Sequence, residues 1–106
     1  MMLAEMLSLE GYDVTAVADG AEALNAARAR RPDVAVIDIA LRGLGGHEVA
    51  RSLRQQFGSA VLLVAVTGYG APEDVERSRA AGFDAHVTKP VAADELLRVL
   101  RTWTRR

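Results

Sequence analysis

Two short runs set the terms for any fold this chain can adopt. Residues 33–38 read DVAVID and residues 60–66 read AVLLVAV. A strand with one wet face alternates apolar and polar residues. These two do not, so both of their faces must be covered. Around them the apolar period lengthens to that of helices, and no internal repeat, low-complexity tract or linker interrupts the chain. Helices alternating with doubly buried strands predict a parallel sheet held between two helical layers.

The elements can be placed from their punctuation. Met2, Leu3, Met6, Leu7 and Leu9 give residues 1–10 a helical period that stops at Gly11. No Ser, Thr, Asp or Asn precedes it as a cap, so the chain is expected to begin inside a helix. Residues 12–17, YDVTAV, alternate and predict a strand. Asp19 caps the next helix, with Glu22 completing a capping box. That helix carries Ala23, Leu24 and Ala27, then Arg28, Arg30 and Arg31, and stops at Pro32.

After the strand at 33–38, Val49, Ala50, Leu53 and Phe57 line one side of a helix ending at Gly58. Residues 60–66 make the next strand, and Pro72 opens a helix to Ala81 that offers a core only Val75 and some alanines. It is expected to be thinly anchored, hence mobile or partner-facing. A short strand at 85–88 follows. The last helix starts near Ala92, with Asp94 and Glu95 in its first turn and Leu96, Leu97, Leu100 and Trp103 on one face.

Composition narrows the function. At 106 residues the chain is one domain's worth, and its net charge of −1 gives no bulk attraction to nucleic acid or anionic membranes. With no cysteine there are no disulfides, thiolate metal sites or cysteine nucleophiles. No apolar run approaches the roughly 20 residues of a membrane span, and no basic segment opens a signal peptide. The expected location is the cytoplasm. Of the 13 basic residues, Lys89 is the sole lysine. An arginine-rich genome accounts for the guanidinium side chains but not for the one compact ammonium, which suits a tight oxyanion site.

In parallel α/β sheets, chemistry gathers outside the strand C-terminal ends. Asp38 ends one strand, Thr67 follows the next, and Lys89 follows the third. Neighbouring strands would bring a carboxylate, a hydroxyl and an ammonium to one rim. A carboxylate nucleophile can hold a phosphoryl group as an acyl phosphate, and such transfer depends on positioning and charge neutralisation. Lys89 and Thr67 suit the phosphoryl oxygens. Gly68 leaves its backbone N–H approachable, and a divalent ion such as Mg²⁺ would complete the neutralisation.

The stretches GYDVTAVADGAEAL, RPDVAVIDIALRGLGGHEVARSLR, VAVTGYG and AAGFDAHVTKPV resemble the receiver domain of two-component response regulators over nearly the whole chain. The resemblance implies a flavodoxin-like three-layer α/β sandwich with strand order 2-1-3-4-5. It implies Asp38 as phosphoacceptor, Thr67 as switch hydroxyl, Lys89 as phosphoryl-sensing lysine and a cis bond before Pro90. His86 falls where the family keeps a rotating, usually aromatic switch residue, and the Ala40 backbone carbonyl would be a metal ligand. Expected partners are a histidine kinase or phosphotransfer protein, with an output domain or a hybrid-kinase parent possible. No direct contact with nucleic acid or membrane is expected.

Arg42 stands where the family generally has Pro, and Gly45 where it often has Asp; altered loop dynamics are expected there. Receivers also begin with a strand ending in two Mg²⁺-binding acids, and the family's spacing from Asp38 places that pair before Met1. Residues 1–106 are therefore expected to be a single receiver-like domain lacking its first strand and the start of its first helix. Mg²⁺ would then be weakly bound or absent, since one carboxylate and one carbonyl make a poor cage. Such a chain could instead be a non-phosphorylatable pseudo-receiver acting as a protein-interaction module. A flavin-binding electron carrier of similar topology is disfavoured by the few aromatics and the lack of a phosphate loop.

Other features have plain readings. A short strand edge hosts histidine without purpose, so a role for His86 rests on the resemblance. His47 is expected to be a solvated residue at a helix start, and two histidines far apart make no metal set. GLGG at 43–46 lacks the third glycine of a dinucleotide loop, since Glu48 stands there. Arg105 and Arg106 are expected to be solvated.

Overall fold

The computed structural model describes residues 3–39, 45–68 and 72–104. Along the chain lie α1 (Leu3–Leu9), α2 (Gly20–Ala29), β1 (Val34–Asp38), α3 (Gly46–Phe57), a 3₁₀ turn at Gly58–Ala60, β2 (Leu62–Thr67), α4 (Pro72–Ala81), β3 (Ala85–Thr88) and α5 (Ala93–Thr104). The strands form a parallel sheet in the order β1-β2-β3. Val34 pairs with Leu62 and Asp38 with Val66, while Val64 pairs with Ala85 and Thr67 with Thr88. This is the flavodoxin-like α/β arrangement.

Every residue of β2 is buried, as its uniformly apolar sequence requires. Its odd-numbered positions Leu63 and Ala65 join Ile37, Leu24, Val49, Leu53 and Phe83 in a core under α2 and α3. Its even-numbered positions Leu62, Val64 and Val66 join Val87, Leu96 and Leu100 in a second core, against which Leu7, Tyr12 and Trp103 pack. The period-two alternation of a strand sends neighbouring side chains into opposite layers. The strand starts at Leu62 because Gly58–Ala60 turn first, with Gly58 at φ 58° as the residue after α3.

The capping box is present with a shift. Glu22 N–H donates to Asp19 Oδ1 at 2.9 Å, but Glu22 Oε2 accepts from Ala18 N–H at 3.0 Å, one residue earlier than the usual partner. The strand expected at residues 12–17 is not there. The segment is irregular, and no strand among the described residues pairs with it. Alternation marks a backbone that can be extended, but a ladder needs a neighbour for its N–H and C=O groups. Tyr12 packs against the α5-side core, while Val17 stays exposed. In α4, Ser78 and Ala81 are the buried side chains among those described, and the expected anchor Val75 lies outside them.

One charged group ties the lower end of the sheet. Arg54 of α3 donates from Nη1 to the carbonyls of Gly58 (2.6 Å) and Val61 (3.0 Å). From Nη2 it donates to the Gly82 carbonyl (2.5 Å) and to Asp84 Oδ2 (2.8 Å). Asp84 Oδ2 also accepts the Leu63 N–H at 2.9 Å. A planar fork with several donors can serve four acceptors at once; an ammonium cannot. Arg54→Met should lower unfolding stability by about 2 kcal/mol or more, because it leaves carbonyls and a carboxylate short of donors. Urea denaturation should show it, with Arg54→Lys recovering only part.

Candidate functional site

Parallel strands end together, and their last residues make the rim. Asp38 is the final residue of β1 and Thr67 the final residue of β2, and Lys89 follows β3. The backbone zips them to the edge: Ile39 N–H donates to the Val66 carbonyl at 3.2 Å, and Lys89 N–H to the Thr67 carbonyl at 2.8 Å. Thr67 is only 3% exposed, whereas the side chains of Asp38 and Lys89 are about half open to solvent.

Asp38 and Lys89 flank β2 on opposite sides, so their backbones are separated by two strand spacings, about 10 Å. A long side chain crosses that distance. Lys89 Nζ lies 2.5 Å from Asp38 Oδ2, over the end of β2. The structure thus brings the Asp38 and Lys89 side chains together across the strand that ends in Thr67. Gly68 is exposed beside them, with open space where a side chain would be. The Lys89–Pro90 peptide bond is cis, as the resemblance implies. Ala40, Arg42 and the first part of GLGG lie outside the described residues, as do Arg105 and Arg106.

His86 lies on β3 opposite Ala65. Its neighbours Ala85 and Val87 belong to the α5-side core, so His86 faces the other way, onto the same face as Ala65 and Thr67. Its Nε2 is buried without a hydrogen-bond partner among the described residues. Burial first, and the Arg79 guanidinium second, push its pKa below the ordinary imidazole value.

Sequence reading missed three features. Gly46 opens α3 directly against the phosphoacceptor candidate's backbone. A Cβ there would stand 2.6 Å from Ile39 Cα and 2.9 Å from the Asp38 carbonyl oxygen. The double glycine ahead of an apolar helix is the available signal. His47 is not simply solvated: it is half-buried, meets Phe83 edge-to-face with ring centroids 6.1 Å apart, and its Nε2 lies 3.4 Å from Ser78 Oγ. The third is the Arg54–Asp84 tie, whose partners are 30 residues apart and show no local pattern.

As for a metal, no group of three or more His, Asp or Glu among the described residues could hold one. The rim's carboxylate donor is Asp38, which also pairs with Lys89. Mg²⁺ seeks about six oxygens in near-octahedral array, so the described residues do not by themselves fit a protein-built Mg²⁺ site.

The family described as the response regulator receiver domain matches residues 1–101. The probable transcriptional regulatory protein TcrX of Mycobacterium tuberculosis is 41% identical over 110 residues, covering 99% of this chain and 46% of the relative. The DNA-binding response regulator MtrA of Mycolicibacterium smegmatis is 38% identical over 108 residues, covering 98% and 46%. The chain therefore spans less than half the length of these relatives. Among solved structures, the chemotaxis protein CheY4 of Vibrio cholerae superposes with a TM-score of 0.87 at 29% identity, covering 94% of this chain and 84% of that one. The receiver domain of the sensor histidine kinase PA1611 of Pseudomonas aeruginosa was solved with a magnesium ion coordinated in its active site cleft. It superposes at 0.85 with 34% identity, covering 96% and 84%.

The close approach at Gly46 gives a direct test. Gly46→Ala must push α3 away from the end of β1 and should lower stability by about 1–3 kcal/mol. Chemical denaturation would register the loss, and amide chemical shifts of residues 37–39 should move more than those of β3.

Proposed function

This chain belongs to the response regulator receiver family, and from that premise we propose that it accepts a phosphoryl group on Asp38. The donor is a phosphohistidine on a histidine kinase or phosphotransfer protein. A carboxylate oxygen of Asp38 attacks phosphorus while the P–N bond breaks. The imidazole nitrogen keeps the electron pair and takes up a proton, and the new P–O bond makes a mixed anhydride at Asp38. The chain supplies this chemistry itself, as a signalling phosphoacceptor and not as an enzyme acting on other molecules.

The observation that carries the reading is the Lys89–Asp38 contact across β2. An ammonium already at the carboxylate neutralises the nucleophile and lies within reach of oxygens that arrive on it. The Thr67 hydroxyl and the Gly68 N–H are the further donors for those oxygens. Thr67, His86 and Pro90 form the responding side of the rim, and the signal passes to the face made by α4, β3 and α5 as a population shift. The same contact favours this reading over a non-phosphorylatable interaction module. Because Asp38, with the Ala40 carbonyl the resemblance implies, is a small donor set, we infer that this chain binds Mg²⁺ weakly.

TcrX and MtrA carry the titles of a transcriptional and a DNA-binding regulator. For this chain we propose the receiving role without direct nucleic-acid contact, in keeping with a net charge of −1. It serves alone, beside an output domain or within a hybrid kinase. Among the described residues no helix is long and apolar enough to cross a membrane. We place the protein in the cytoplasm, where its phosphodonors would act.

Incubation with acetyl phosphate and Mg²⁺, read by intact mass, tests the assignment. One phosphoryl group should add to the chain, Asp38→Asn should abolish it, and Lys89→Met should slow it by about 100-fold. Raising Mg²⁺ should keep increasing the rate well past the concentration that saturates a tight site. A wild-type chain that stays unmodified throughout would reject the phosphoacceptor role and leave the interaction module standing.

A further inference from the structure

His86 is a titratable group in a place where its protonation has mechanical consequences. Its ring lies on the α4-side face of β3, with Ala65 in register and Thr67 the next outward residue of β2 on that face. Nε2 has neither solvent nor a hydrogen-bond partner among the described residues. A neutral imidazole can tolerate one unmet nitrogen. An imidazolium has two N–H donors and a full charge to satisfy, and here its Nε2–H would have no acceptor among the described residues.

The surrounding charges point the same way. From α4, the Arg79 guanidinium repels a proton on the ring. Glu76 and Arg77 of the same helix are exposed. From β2 the ring meets Ala65 and the neutral Thr67. Further along the chain, Lys89 is a cation paired with Asp38. The side chains of α5 pack on the opposite face of the sheet. No carboxylate among the described residues is shown reaching the ring. The helix that carries Arg79 has Ser78 and Ala81 as its buried side chains among those described.

We propose that His86 is a proton-sensitive gate between β3 and α4: the neutral ring keeps its Nε2 enclosed in the half-buried position, and the protonated ring leaves it for solvent and loosens α4. Its link to signalling rests on the receiver reading, in which His86 belongs to the responding side of the rim: protonation of the ring and phosphorylation of Asp38 are then coupled, and by reciprocity phosphorylation shifts the ring's titration.

The sign follows from linkage. The unfolded ring titrates near its ordinary value of about 6.5, and the folded one lower. Above about 6.5 neither state binds the proton and stability is complete. Between the two values the unfolded or ring-out state binds a proton that the native state refuses, so stability is lost as pH falls.

The test is an imidazole NMR titration of the full chain with amide hydrogen exchange, from about pH 8 to about pH 5. His86→Phe identifies the resonance and His86→Gln supplies an uncharged polar ring substitute. His86 should protonate below about 6.5, and protection factors in α4 should fall by up to about tenfold per pH unit across the titration, in wild type and in neither variant. Titration at or above the ordinary value overturns the gate, and so does an equal loss of α4 protection in the variants. Both readouts are repeated in Asp38→Asn, where the gate should persist. A chain that fails to take up phosphoryl therefore sinks the receiver role without touching this result.

Discussion

The structure depends on the need to bury β2 on both faces. Six consecutive residues of that strand are buried, and no single layer can accomplish this. Helices must lie on both sides of the sheet, which forces each strand-to-strand connection to cross a helix and makes the strands parallel. Parallel strands bring all their C-terminal ends to one edge. The meeting of Asp38, Thr67 and Lys89 is thus a by-product of where apolar side chains must go, and it needs no attraction among the three to form.

Two ion pairs hold the sheet from its opposite ends, and they differ in character. Below, Arg54 and Asp84 are partly buried and share their hydrogen bonds with the backbone of the turn after α3, of β2 and of the turn before β3. That arrangement resists exchange because a substitute would leave part-buried acceptors unmet. Above, Lys89 and Asp38 are about half exposed, so water screens their attraction and can take the place of either partner. The rigid pair is the frame and the solvated pair is the part able to change hands.

Local signals were readable in the sequence where they decide structure locally. The Asp19–Glu22 cap, the stop at Gly58 and the apolar faces of α3 and α5 follow from periodicity and punctuation, and so does the strand-end placement of Asp38, Thr67 and Lys89. What escaped was set by partners distant in the chain. Residues 12–17 alternate well, yet pairing is not a property of one strand. Gly46 is demanded by the backbone of residues 38 and 39, which only the folded chain brings against it. His47 gains its half-buried ring contact from Phe83, and no spacing rule links them. A single sequence hides such contacts.

The Lys89 N–H is fastened to the carbonyl at the end of β2, so its main chain cannot follow its ammonium. Whatever the ammonium grasps, the excursion is confined to the four methylene torsions of one side chain. Rotamer hops of that kind run in picoseconds to nanoseconds, far ahead of any helix displacement. A new charge at the rim would therefore meet the ammonium long before any neighbouring helix could shift.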